Sequence, residues 1–263
     1  ILRIQREGDV NVVYEAASET IKELWEKPEL RYSNALEGIF HEQTIICEDD
    51  SDCRLINSAA DYINSNSTAP FKDTSYVPTG GKHGIPKVAD VLRKIGVPIK
   101  AVFDIDFLSE RDLVKNTVSA FGGNWIDVEV LWERVDSAVR GGIKPKSVET
   151  IKSEIIQMLQ NADKEKLPKG DIAALMKQGT AWNEVKKFGE IAIPNGQAQT
   201  DYKALKSALE NLGIFVIPVG EIEKFCPEIG LHGPKFVTKL LTDIPLSDSC
   251  LAGLRDFVAH IHR

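Results

Sequence analysis

Three apolar runs in this chain each end in acids, and that pattern limits the fold more than any other feature. The stretch QTIICEDDSD passes from a strand-like run straight into Glu48, Asp49, Asp50 and Asp52. IKAVF runs into Asp104-Ile105-Asp106, and IFVIPV into Gly220-Glu221-Ile222-Glu223. Helical patterns alternate with these runs, which predicts a mainly parallel α/β sheet flanked by helices. The carboxyl ends of the strands in such a sheet line one crevice, so acids remote in sequence are expected to converge there. Repulsion and desolvation both oppose that convergence. Carboxylates gathered without matching cations therefore call for a divalent ion, and an all-oxygen ligand set favours Mg²⁺ or Mn²⁺ over zinc.

The 263 residues are expected to divide into a lead-in over 1–40, the first part of the α/β core over 41–108, a helical insertion lobe over 109–200, and the rest of the core with C-terminal helices over 201–263. The lead-in reads as two short strands from Ile1 to about Tyr14 around Glu7-Gly8-Asp9, then a helix. The insertion shows apolar helical periodicity and no convergent acids, so a separate lobe is expected. Isolated acids also have plainer readings. Asp52 suits the N-cap of a helix expected from Asp52 to about Asn64, and Glu110 and Glu149 read as solvated helix charges.

A net charge of −7 argues against a simple basic nucleic-acid-binding domain, although clustered carboxylates holding metal reverse the local sign. No apolar run approaches the roughly 18 to 20 residues that span a bilayer. With no basic, small-residue-terminated leader, a cytoplasmic location and no membrane partner are expected. Cys47, Cys53, Cys226 and Cys250 lack CxxC spacing and read as reduced thiols. The histidines form no cluster in sequence, so a zinc site is not expected. A chain that starts at Ile1 is expected to be part of a longer protein.

The order ICEDDSD, then TGGKH, then VFDIDFL resembles the TOPRIM domain, and within it the OLD (overcoming lysogenization defect) family of nucleases. ALEGIFHEQTIICEDDSD is similar to that family's lead-in, VIPVGEIEKF to its later acidic strand, and HGPKFV to its lysine-bearing segment. The resemblance runs from about Leu30 to Arg263. It implies a TOPRIM-like fold and a metal-dependent endonuclease that cleaves DNA phosphodiesters with two Mg²⁺ or Mn²⁺ ions. It also implies a linked or associated ABC-type ATPase, with ATP bound only there, and a role in phage defence or DNA processing. No GxxxxGK[ST] occurs in this chain, so the ATPase is expected to lie outside it, with residues 1–14 as its last strands. A homodimer is a further expectation. Two departures stand out: Asp49 occupies the place where the family commonly has Gly, and both Glu221 and Glu223 are acidic where one acid is usual.

On this reading Asp104, Asp106 and one of Glu221 or Glu223 hold one ion, and Glu48 and Asp52 hold its neighbour. Glu48 is also a candidate acid or base. Lys235 is the candidate for neutralising the scissile phosphate, equally readable as a solvated lysine at a helix start, and Lys82 is a candidate substrate contact. Rival readings are a receiver-type signalling domain, a haloacid-dehalogenase-type phosphatase and a non-catalytic TOPRIM-like assembly module. The paired acids and long insertion disfavour the first, and the bulky Phe107-Leu108 after the acids disfavours the second.

Overall fold

The computed structural model describes residues 2–26, 34–143, 146–162, 167–177 and 180–263. Ile1 and Leu30, used above as starting points, lie outside them. A hairpin of β1 (Leu2–Glu7) and β2 (Val10–Glu15) leads into α1 (Ser18–Glu26) and a 3-10 turn over Asn34–Phe40. The hairpin is clamped to the core by Arg3, whose guanidinium donates to the carbonyls of Ile39 at 3.1 Å, Gly96 at 2.6 Å and His41 at 3.0 Å.

The core alternates strand and helix as expected. Its elements are β3 (Gln43–Cys47), α2 (Asp50–Ser65), β4 (Thr74–Pro78), α3 (Ile85–Lys94) and β5 (Ile99–Phe103). Next come α4 (Arg111–Ala120), α5 (Ile126–Gly142), α6 (Val148–Asn161), α7 (Lys169–Lys177) and α8 (Ala181–Phe188). The chain finishes with α9 (Gln197–Asn211), β6 (Ile214–Val216), α10 (Gly233–Asp243) and α11 (Ala252–His262). The four strands β3 to β6 form one parallel sheet in the order β4-β3-β5-β6.

Both faces of this sheet are buried, which explains why its strands read as unbroken apolar runs. Ile45, Cys47, Val102, Phe215 and Ile217 point to one side and meet Leu55 and Ile56 of α2, Val237 and Leu240 of α10 and Leu254 and Val258 of α11. Ile46, Val77, Ala101, Phe103 and Val216 point to the other, onto α3, α4, α5, α8 and α9. Strand β6 is shorter than IFVIPV suggests because Pro218 has no N–H for a ladder bond; its last bond to β5 runs from Ile217 N to Phe103 O at 2.9 Å.

The insertion departs from the separate lobe expected of it. Val128, Trp132, Val135 and Val139 of α5 and Trp182 and Val185 of α8 belong to the same hydrophobic core as Phe103. Trp132 Nε1 donates to Leu108 O at 2.8 Å, and Trp182 Nε1 donates to Asp136 Oδ1 at 2.7 Å. Apolar periodicity marks a buried helix face, and here that face is used against the sheet. Helix α6 differs, burying none of its side chains.

The end of α8 also touches the loop after β6 directly, backbone to backbone. Gly220, at φ +106, has its α-carbon so close to Lys186 O that a Cβ there would lie 1.9 Å from it, and a Cβ on Gly189 would lie 2.4 Å from Pro218 O. Glu190 N donates to Pro218 O at 2.8 Å, and Ile105 N donates to Gly220 O at 2.9 Å. Among the described residues no helix is long and apolar enough to cross a membrane, and all four cysteines are free thiols.

Gly220→Ala should cost on the order of 2 kcal/mol, since it combines a left-handed backbone with a clash against fixed backbone. Gly141→Ala, at a helical position with open space beside it, should be neutral or slightly stabilising. Chemical denaturation of the two variants checks the contrast.

Candidate metal centre

Glu48 ends β3 and Asp104 ends β5, and because these strands are neighbours their acids meet: Asp104 N donates to Glu48 Oε1 at 3.2 Å. Asp106 follows one 3-10 step later. Asp52 looks into the same space from the first turn of α2, close enough for Glu48 and Asp104 to disfavour its charge. The cap of α2 is Asp49 rather than Asp52. The Asp49 carboxylate accepts from Ser51 N at 2.7 Å and Asp52 N at 3.1 Å, while Asp52 Oδ2 accepts from Asp49 N at 3.3 Å. This reciprocal capping box puts the cap three residues before the expected one, and the helix starts at Asp50. It also accommodates the departure from the family's usual Gly, because Asp49 is extended, at φ −140, and needs no glycine.

Two lysines reach these acids. Lys186 Nζ, from α8, lies 2.7 Å from Asp104 Oδ2 and 3.0 Å from Asp106 Oδ1. Lys82 Nζ, from the Gly80-Gly81 turn, lies 2.9 Å from Asp106 Oδ2 and 2.8 Å from Glu110 Oε1. Lys82, the candidate substrate contact, is thus a counter-ion within the site in the metal-free chain. Glu110 is one of its partners, with His83 at 3.3 Å, and not a solvated helix charge.

The cations do not neutralise the cluster. Burial pushes the Asp104 carboxyl up to about 7, helped by Glu48 and Asp106 against the pull of Lys186. Burial with Asp49, Asp104 and Glu48 nearby pushes Asp52 up to about 8. Burial also raises Glu48, with Asp106 adding to it. Asp106 alone is held below the usual carboxylate range, because Lys186 and Lys82 together outweigh its burial.

Glu221 and Glu223 form a second group a short way off. Their carboxylates and the imidazole of His232 bring ligand atoms within 4.8 Å of one another, the trio of metal-capable side chains gathered that tightly among the described residues. His232 carries no signal in sequence because it lies nine positions after Glu223. Glu223 Oε1 also accepts from Gly233 N at 2.8 Å at the start of α10, and Lys224 lies 3.3 Å from Glu221. The trio does not include Asp104 or Asp106. Lys186 lies against the Asp pair, and Asp106 and Glu221 both line one cleft. Lys235 is exposed in the first turn of α10.

A cleft of about 750 Å³ joins the two groups, lined by Asp106, Thr180, Asn183, Lys186, Lys187 and Glu221 among others. Lys186 and the wall it belongs to come from the insertion, which shows no motif in sequence.

Asp49→Ala should cost about 1 kcal/mol, the usual value of an N-cap, measured by thermal melting. Raised carboxyls bind more protons in the folded than in the unfolded chain, so the metal-free protein should lose stability as pH rises from 6.5 to 8. That window lies above the range in which the buried His262, whose basicity is depressed, acts in the opposite sense. Asp52→Asn should flatten the slope in melts run with EDTA.

Residues 39–106 match the family model described as overcoming lysogenization defect protein-like, TOPRIM domain. No curated protein and no solved structure matches the chain. The matched residues hold β3, β4 and β5 with Glu48 and the Asp104/Asp106 pair at their carboxyl ends, so this part of the chain is similar to an OLD-like TOPRIM domain.

Proposed function

We propose that the chain is a divalent-metal-dependent endonuclease acting on DNA phosphodiesters. The observation that carries this reading is the convergence of Glu48, Asp52, Asp104 and Asp106 at one edge of a parallel sheet, with more negative charge than Lys82 and Lys186 offset. Oxygen donors of this kind fit Mg²⁺ or Mn²⁺. Glu48, Asp52, Asp104 and Asp106 would hold one part of the metal set, and Glu221, Glu223 and His232 the other. Bound divalent ions supply a water of lowered pKa and charge neutralisation at the scissile phosphate.

The chain's own residues do the rest. Glu48, whose Oε1 accepts from Asp104 N, would take or return a proton at the attacking or leaving oxygen. Lys235, exposed beside the Glu223 cap, offers a point charge to the phosphate. The cleft, lined by Asn183 and Lys187 of α8 and by Glu221 and Lys224 of the loop after β6, would take a phosphate backbone. Coupling to an ABC-type ATPase, a role in phage defence and dimerisation belong to the same proposal and rest on the family resemblance.

A second reading, a non-catalytic assembly module, draws on the ion pairs that Lys82 and Lys186 already make with Asp104 and Asp106. Supercoiled plasmid separates the two. With Mg²⁺ or Mn²⁺ the chain should nick or linearise it, with EDTA it should not, and Glu48→Gln or Asp104→Asn should abolish cutting. Intact plasmid with every divalent ion, or equal cutting in EDTA, would sink the nuclease reading.

A further inference from the structure

Lys186 is the least expected member of this site. It arrives from the insertion, some eighty residues after Asp106 in sequence, yet it touches both acids of the pair. Its position is set by backbone and not by its own reach. The carbonyl of Lys186 lies against Gly220, while Val185 and Trp182 on the same helix are sunk in the core. Its ammonium occupies the space between Asp104 and Asp106 where a cation shared by the pair would bind, and the same side chain lines the cleft next to Lys187. One ammonium therefore borders both the metal-binding acids and the space for a substrate backbone.

We propose that Lys186 is the resident counter-ion of the Asp104/Asp106 pair, which it surrenders to a divalent cation before turning into the cleft to meet a phosphate of the substrate. This rests on the nuclease reading and adds a residue outside the matched TOPRIM segment to it. A lysine suits the role because its charge sits on a flexible four-carbon stem that reaches more than one position from a fixed helix. The exchange keeps one cation against both acids when no metal is bound. It also makes loading of the ion and readiness for substrate parts of one movement.

The inference predicts opposite effects on two ligands. Lys186→Gln removes a competitor for the carboxylates, so calorimetry with Mn²⁺ should show binding tighter by about tenfold, equivalent to 1.4 kcal/mol. The same variant should bind a DNA duplex more weakly in Ca²⁺, with a salt dependence lower by about one phosphate contact. Its metal-free melting temperature should fall and recover with Mn²⁺. Lys186→Arg keeps the charge and guards against misfolding. Its planar fork grips carboxylates more firmly, so Mn²⁺ binding should weaken. Lys187→Gln, on the cleft wall but without a bond to the pair, should leave Mn²⁺ affinity unchanged. Weaker binding of both Mn²⁺ and DNA by Lys186→Gln would mark Lys186 as a structural tie and overturn the inference. If the wild-type chain binds and cuts but Lys186→Gln binds Mn²⁺ no tighter, this inference fails alone. If the wild-type chain binds no Mn²⁺, the nuclease reading fails with it.

Discussion

Glu48, Asp52, Asp104 and Asp106 stand at one edge of a parallel sheet, and their mutual repulsion is what the surrounding structure is arranged to offset. Each element near them brings a donor or a cation. The backbone of Asp104 donates to Glu48, the capping box of α2 engages Asp49 and Asp52, the Gly80-Gly81 turn brings Lys82, and α8 brings Lys186. Even so, the two lysines face four carboxyls, and burial, the largest cause in each case, lifts three of the four. A purely structural ion-pair network tends toward closure, with each charge matched. This one is left short of positive charge.

The insertion is built around that shortage. Helices α5 and α8 share the core of the sheet, so their positions are as firmly set as those of the strands. Gly189 and Gly220 let the end of α8 approach the loop after β6 more closely than any side-chain-bearing residue would allow. That loop carries Glu221 and Glu223. The contact therefore fixes Lys186 relative to both groups of acids at once.

Much of this was legible in the sequence, and the failures have identifiable causes. The strand and helix alternation and the acidic strand ends show because buried parallel strands are apolar throughout, so a charge marks where each one stops. Asp52 was a natural choice of cap because acids at the cap and at the third helical position look alike in sequence, and only backbone geometry assigns Asp49. Lys186 left no trace. Helical periodicity reports Trp182 and Val185 as a core face, and a lysine beside that face reads as solvated until the helix is docked. His232 and Glu110 were missed for the same reason, their partners being supplied by folding rather than by spacing. The insertion read as a lobe because a run of amphipathic helices gives no sign of which surface it covers.

Helix α6 stands apart from all of this, since it buries no side chain. Its neighbours hold their places without it: α5 is fixed by Trp132 and α8 by Trp182, on either side of it in the chain. The cost of lengthening such an excursion is mainly that of closing a longer loop, which grows by only about 0.6 kcal/mol for each doubling. This is consequently where added or deleted segments should cost the fold least, with the geometry of the acids left in place.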